Sequence, residues 1–291
     1  MRQADTMDWF VSGLGAVMVV LVLRDIFHTL GHPGFQGRLS RVVLGTTWRV
    51  SRGRRMAGLA GPLAMLTVIG VWGLLAVVGW ALVYLPHLPG GFTFASGRAA
   101  GDTNPVLDAL YISLVTISTL GLGDAIPVSG WLRVANPLEA LFGFALLTVA
   151  VSWVLQIYPA LTRRRVLSIR LMLLRRADTL DHLDSSWAAG VLEGLATSIV
   201  GVRVDLSEYA ETYYFREDEM EASLAATLGY AAELARAGSV SPRSDVKHAS
   251  TILTCALDDL AHVLDDRFLH VGGLLPEVID AFALDHGHPR V

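Results

Sequence analysis

Nine residues, Thr116-Ile-Ser-Thr-Leu-Gly-Leu-Gly-Asp124, sit between long apolar stretches and alternate glycine with leucine. They constrain the chain more than any other segment. At membrane depth a non-helical backbone is tolerated only where protein, water or an ion satisfies its polar groups. Glycine reaches backbone angles that L-residues avoid, so alternating glycine lets successive carbonyls point one way. A column of oxygens aimed at one axis can replace the water around a dehydrated cation.

Composition sets that string in a membrane context. The 291 residues are 53% hydrophobic and 17% charged, and mean hydropathy is +0.48. Such a chain is too apolar for an ordinary soluble protein. The net charge of −4 hides an asymmetry: residues 1–165 carry 13 Arg and no Lys against 7 acids, whereas residues 166–291 carry 10 basic and 20 acidic residues. A membrane part with basic loops and an acidic soluble part are expected, and the acidity argues against nucleic acid as a partner. The single cysteine, Cys255, excludes an intrachain disulfide or a Cys-rich metal site. Acids at Asp5 and Asp8, with no small-residue cleavage site after them, argue against a cleavable leader.

Three apolar stretches follow along the chain. Trp9–Leu23 is short for a span and extends to Leu30 if Arg24 snorkels; it reads as a transmembrane helix or as an interfacial one. Residues 31–55 hold Arg38, Arg41, Arg49, Arg52, Arg54 and Arg55, a basic cytoplasmic loop rather than a voltage sensor, since no apolar span embeds them. Met56–Leu85 is long enough to cross, with Trp80 and Tyr84 at one interface. Residues 86–104, rich in Pro and Gly, read as an exposed turret. Asp108–Ser118 predicts a short helix that cannot cross, and Leu132–Tyr158 a last span closed by Pro159 and Arg163–Arg165. The positive-inside rule places loop 31–55 and the 163–165 cluster in the cytoplasm. The N-terminus and the 116–124 string then face outward at the cell (inner) membrane.

On these residues the segment from about 60 to 160, roughly a third of the chain, resembles the two-transmembrane pore module of the potassium-channel superfamily. Thr119-Leu-Gly-Leu-Gly-Asp124 is similar to the Thr-Val-Gly-Tyr-Gly filter loop of those channels, with Leu in place of Tyr. The resemblance implies K⁺ sites formed by the Thr119 hydroxyl and carbonyl and by the carbonyls of Leu120, Gly121 and Leu122, with Gly123 completing the filter. It implies an outer-mouth carboxylate at Asp124, with Tyr111 in reach to bond it. Ile112 stands where many relatives place a tryptophan, so an apolar cuff replaces a polar tether behind Leu122. Val115 and Thr116 belong to the filter's packing. A Gly-Leu-Gly filter is also familiar from one of the two pore loops of eukaryotic two-pore-domain channels, so Leu122 leaves K⁺ selectivity possible and puts its degree in question.

In the last span, Gly143 takes the place of the family's hinge glycine and reads either as a bend or as close helix packing. Phe144, Leu147 and Val151 would line an apolar cavity. Glu139, an acid in a span, reads as a contact to the short helix or to water. One loop cannot enclose an ion and the chain has no internal repeat, so a homotetramer in the lipid bilayer is expected.

Residues 166–291 carry helical periodicity with breaks at 184–186 and 238–245, which predicts an all-α bundle of four or five helices. Asp259, His262 and Asp266 share a helical face and could hold a divalent ion, although a solvated face is the simpler reading; Asp258 and Asp265 flank them. Tyr209–Phe215 concentrates aromatics suited to a bundle core. His286 and His288 read as a disordered tail rather than ligands. The expected fold class is an all-α membrane protein, a pore-loop channel domain plus a cytoplasmic helical bundle, divided as 1–55, 56–165 and 166–291. The expected function is passive K⁺ conduction, possible gating by residues 166–291, no enzymatic activity and no organic cofactor. A non-selective cation channel and a non-conducting membrane sensor stand as alternatives.

Overall fold

The computed structural model describes residues 2–31, 38–51, 60–94, 104–217 and 219–289. Arg52, Arg54 and Arg55 lie outside these residues, as do residues 95–103 of the expected turret. The chain forms two compact units, residues 1–41 with 66–154 and residues 42–65 with 155–291. The helices α1 (Arg2–Gly31), α2 (Arg38–Ser51), α3 (Ala60–Tyr84), α4 (Pro105–Ile117) and α5 (Leu132–Arg176) come first, with two short strands, β1 (Phe92–Phe94) and β2 (Ala125–Pro127), on either side of α4. Helices α6 (Ala188–Glu208), α7 (Leu224–Ser239), α8 (Ser244–Leu264) and α9 (Leu275–Asp285) complete the chain. This is an all-α membrane protein in which three helices, Thr6–Thr29, Gly61–His87 and Leu132–Arg176, are long and apolar enough to cross a bilayer.

In the first unit, α1 packs along α3. A Cβ at Gly15 would lie 2.4 Å from the Gly79 carbonyl oxygen, so only paired small residues allow this approach. The Ser12 hydroxyl donates to the Val83 carbonyl at 3.1 Å. By length and composition, Thr6–Thr29 of α1 is sufficient for the spanning alternative of the two that its sequence left open. Asp25 follows the same logic. Its carboxylate accepts from the Leu39 amide (3.1 Å), the Ser40 hydroxyl (2.8 Å) and the Trp72 indole (2.9 Å). The acid thereby caps the first turn of α2, where backbone amides lack helical partners. The segment after α3 is less exposed than the turret reading implies. Phe92 is buried, and β1 pairs antiparallel with β2 in the register Phe92–Pro127, Thr93–Ile126 and Phe94–Ala125.

The span expected to close at Pro159 instead continues as α5 to Arg176. Proline removes one backbone donor from a helix interior, and buried Ile157, Ala160, Leu167 and Leu171 hold the helix on both sides of it. In the second unit Leu167 and Leu171 join α6–α9 in one core, including Leu192, Ile199, Leu228, Leu253, Leu260 and Phe282. That is the helical bundle its periodicity predicts. The basic cluster is consumed within this unit: Arg163 forks onto Asp205, buried Arg164 donates to the Thr212 and Phe215 carbonyls, and Arg165 bonds Glu217. Tyr213, from the aromatic run, stacks on Phe268 with ring centroids 4.1 Å apart.

The tail histidines are ordered and buried, contrary to the reading of a disordered tail. His286 has Nε2 at 2.9 Å from the Tyr213 carbonyl, and its ring packs against Trp48, Tyr213 and Phe282. His288 Nε2 meets the Ser223 hydroxyl at 2.8 Å. Apolar surroundings, not polarity of sequence, decide their place. Burial pushes the His286 imidazole down to about 3, whereas an unfolded chain returns it to about 6.5. The unfolded state therefore binds the extra proton first. The stabilisation is fully present above about 6.5 and is lost as pH falls toward the folded value. Thermal unfolding of the full chain in detergent is expected to show stability falling with acid over that range. In His286→Phe the slope should shrink by up to about 1.4 kcal/mol per pH unit.

Candidate functional site

Helix α4 begins with Asn104, whose side chain accepts from the Val106 amide at 3.0 Å, and with Pro105 in the first turn. It ends at Ile117, where the last carbonyls of any helix need outside donors. The string that follows supplies them. The Ser118 amide donates to Leu114, Thr119 to Thr116, and both Leu120 and Gly121 to the Val115 carbonyl. The amides of Ser118–Gly121 are thus spent on the end of α4. Among the described residues no backbone amide donates to the carbonyls of Thr119–Gly123, which remain free acceptors.

The backbone of the string alternates in hand. Thr119, Gly121 and Gly123 have φ of +57°, +55° and +76°. Glycine takes this region without a Cβ penalty; Thr119 does not, and a non-glycine residue there marks a constrained position. Leu120 and Leu122 are exposed in the single chain. At the far end from α4 the Tyr111 hydroxyl donates to Asp124 Oδ2 at 2.5 Å. This bond ties Asp124, the last residue of the string, to the middle of α4. The β1–β2 ladder holds the next three residues.

The inner side of α4 rests on one face of α5, at positions 136, 139 and 143. Asn136 Nδ2 donates to the Thr116 hydroxyl at 2.9 Å. Glu139, fully buried, faces the Ser113 hydroxyl at 2.5 Å and accepts from the Tyr84 hydroxyl at 2.6 Å. A Cβ on Gly143 would fall 1.8 Å from the Ile117 carbonyl oxygen. Close packing is therefore a sufficient reason for this glycine. Ser113 and Asn136 were missed in the sequence, and Tyr84, read there as an interfacial aromatic, is instead fully buried against Glu139. The one signal for them was the spacing of Asn136 and Glu139 in an otherwise apolar span.

Ile112 packs with Val83, Tyr84, Phe92 and Leu132. It also lines, with Tyr111, Val115, Thr116 and Gly121–Pro127, a groove of about 190 Å³ beside the string. Leu122 borders the same groove but stays exposed, so one chain alone does not close the apolar cuff expected of this pair. Phe144, Leu147 and Val151 share an exposed face of α5, opposite buried Phe142, Ala150 and Trp153. The divalent-ion trio is not assembled. Asp259, His262 and Asp266 are exposed, and no metal-holding group of three or more His, Cys, Asp and Glu exists among the described residues. Helix α8 ends at Leu264, Asp266 falls in a π-turn (Asp265–Leu269), and Asp265 spends its carboxylate on the Val271 and Gly272 amides.

A short helix delivering alternating-hand backbone with free carbonyls, between two membrane-length helices, defines an ion-channel pore module. Residues 70–159 match the family described as Ion channel. Protein LctB of Bacillus caldotenax is 32% identical over 124 residues, 40% of this chain and 90% of that protein. Two-pore potassium channel 5 of Arabidopsis thaliana is 36% identical over 74 residues, 25% of this chain and 18% of that protein. Two pore potassium channel c of Oryza sativa subsp. japonica is 38% identical over 79 residues, 27% of this chain and 16% of that protein. The chain thus spans less than a fifth of the length of these two plant channels. No solved structure matches the chain. The chain belongs to the potassium-channel superfamily.

Two substitutions probe the module. Gly143→Ala forces a Cβ against the Ile117 carbonyl and should lower stability by about 1–3 kcal/mol, read as a lower melting temperature alongside reduced ion flux. An altered open probability with unchanged melting would mark a hinge instead. Tyr111→Phe leaves Asp124 without its phenol donor. It should lower stability by about 0.5–1.5 kcal/mol, the net worth of one hydrogen bond, measured as a lower melting temperature.

Proposed function

We propose that this protein is a homotetrameric, K⁺-selective channel conducting passively through Thr119–Gly123. The observation that carries the reading is the alternation of positive φ at 119, 121 and 123 together with carbonyls left free of amide donors. Four such strands around an axis would offer stacked rings of oxygens to a dehydrated cation. K⁺ is the cargo, held in passing by the Thr119 hydroxyl and the backbone of residues 119–123. Exposure of Leu120, Leu122, Phe144, Leu147 and Val151 in the single chain supports further copies around that axis. In the tetramer, Phe144, Leu147 and Val151 would line the cavity, and a ring of Asp124 carboxylates would concentrate cations at the mouth.

The filter side and N-terminus face outward in this reading, with α6–α9 in the cytoplasm of the cell that carries the protein in its inner membrane. Support comes from the excess of arginine in residues 31–55 and 163–165. Helix α5 runs without interruption from the pore module to Arg176, so the acidic domain is covalently placed to act on it as a gate. Purified protein in liposomes is expected to carry K⁺, with a reversal potential that follows the K⁺ gradient. A potential indifferent to exchange of K⁺ for Na⁺ would replace this reading with a non-selective channel. No flux under any gating condition would replace it with a membrane sensor.

A further inference from the structure

The three-way contact of Glu139 with Tyr84 and Ser113 holds more than packing. The Ser113 hydroxyl lies 2.5 Å from Glu139 Oε1 and 3.0 Å from the Val77 carbonyl oxygen. The Tyr84 hydroxyl donates to Glu139 Oε2 at 2.6 Å. All three side chains are fully buried.

Counting hydrogens decides the state of the acid. A serine hydroxyl has one hydrogen and a carbonyl oxygen has none. The Oε1–Ser113–Val77 chain contains two oxygen–oxygen links, and Ser113 supplies a hydrogen to only one of them. An ionised Glu139 leaves the other link without a proton, two oxygens facing each other with nothing between. A protonated Oε1 repairs the count: Glu139 donates to Ser113, Ser113 donates to Val77, and Tyr84 donates to Oε2. Among the described residues no basic side chain pairs with the carboxyl. A buried charge without a partner is costly, whereas a neutral acid in a complete hydrogen-bond chain is not.

We propose that Glu139 is held as a neutral carboxylic acid that joins α3, α4 and α5, and that it is a positioning residue for the filter. It touches no ion. It acts through α4: Ser113 lies one helical turn before Thr116 and Ile117, which Asn136 and Gly143 engage from the same face of α5. The amides of Thr119, Leu120 and Gly121 hang from the carbonyls of Val115 and Thr116, so any shift of α4 displaces the free carbonyls directly. The consequence for selectivity rests on the conduction proposed above; the state of the acid does not.

Two measurements on the full-length protein test this. Infrared difference spectra of wild type against Glu139→Gln at neutral pH should contain the carbonyl stretch of a protonated carboxylic acid, absent from the variant. No such band in folded protein overturns the neutral acid. In liposomes, Glu139→Gln, whose amide reproduces both the donor and the acceptor, should keep the wild-type K⁺/Na⁺ permeability ratio. Glu139→Leu, which keeps the bulk and loses the bonds, should lower that ratio by about tenfold. A Leu variant that selects like wild type, or a Gln variant as damaged as Leu, overturns the positioning role. If the Leu variant does not assemble, Ser113→Ala breaks the same chain at its centre, and unchanged selectivity there overturns the role equally. A wild type that conducts without selecting, or does not conduct, defeats the conduction reading alone. The infrared band and the order of melting temperatures, with Gln near wild type and above Leu, then still decide the acid.

Discussion

A backbone that offers carbonyls to an ion cannot also use them to hold itself together, and the pore module is organised around that conflict. The amides of Ser118–Gly121 turn back onto the last carbonyls of α4, which satisfies the helix end and leaves the string's own oxygens free. The price is that the string has no ladder or helix of its own. Its shape is inherited from α4 at one end and from the Tyr111–Asp124 bond and the β1–β2 ladder at the other. Whatever holds α4 therefore holds the oxygens.

Helix α5 does that holding with three dissimilar contacts on one face. Asn136 reaches a hydroxyl, Glu139 a serine and a tyrosine, and Gly143 lets a backbone carbonyl approach where any side chain would collide. In an environment as apolar as the helices themselves, burial of apolar surface does not choose one registry over another, whereas polar contacts and small residues do. Glu139 is costly to place there unless its bonds are complete, and that requirement makes its position specific. The same physics fixes α1 and α2. A Gly15–Gly79 crossing and a three-donor shell around Asp25 determine how those helices meet α3.

In the second unit, charge is used for folding. Arg163, Arg164 and Arg165 read from sequence as a basic cluster that orients the chain in a membrane. Each also finds a partner in the bundle, and Arg164 is buried against two carbonyls, so the cluster anchors the C-terminal part of the long helix. Trp48 contributes from α2 by donating to Asp285, the acid that also accepts from Tyr213. His286 completes this aromatic socket as a neutral ring.

Much of this was legible in the sequence, because membrane burial makes apolar length and backbone chemistry nearly one-dimensional. The spans, the short non-crossing helix, the glycine alternation at 121 and 123 and the helical periodicity after 166 all depend on residues near one another in the chain. The misses depend on distant residues. Pro159 reads from sequence as a helix end or a kink, and of these the end is overturned, since packing on both sides carries α5 to Arg176. Asp259, His262 and Asp266 are exposed, in keeping with the solvated face that was the simpler reading. His286 and His288 looked like a polar tail until the bundle closed over them. Glu139 was visible as an acid in a span, but its partners lie 55 and 26 residues away on two other helices. The sequence by itself determined that the chain carries a string able to free its carbonyls, since glycine spacing and apolar length are local properties. Only the tertiary structure decided what keeps that string in place, because hydrogen-bond partners across helices are chosen by packing.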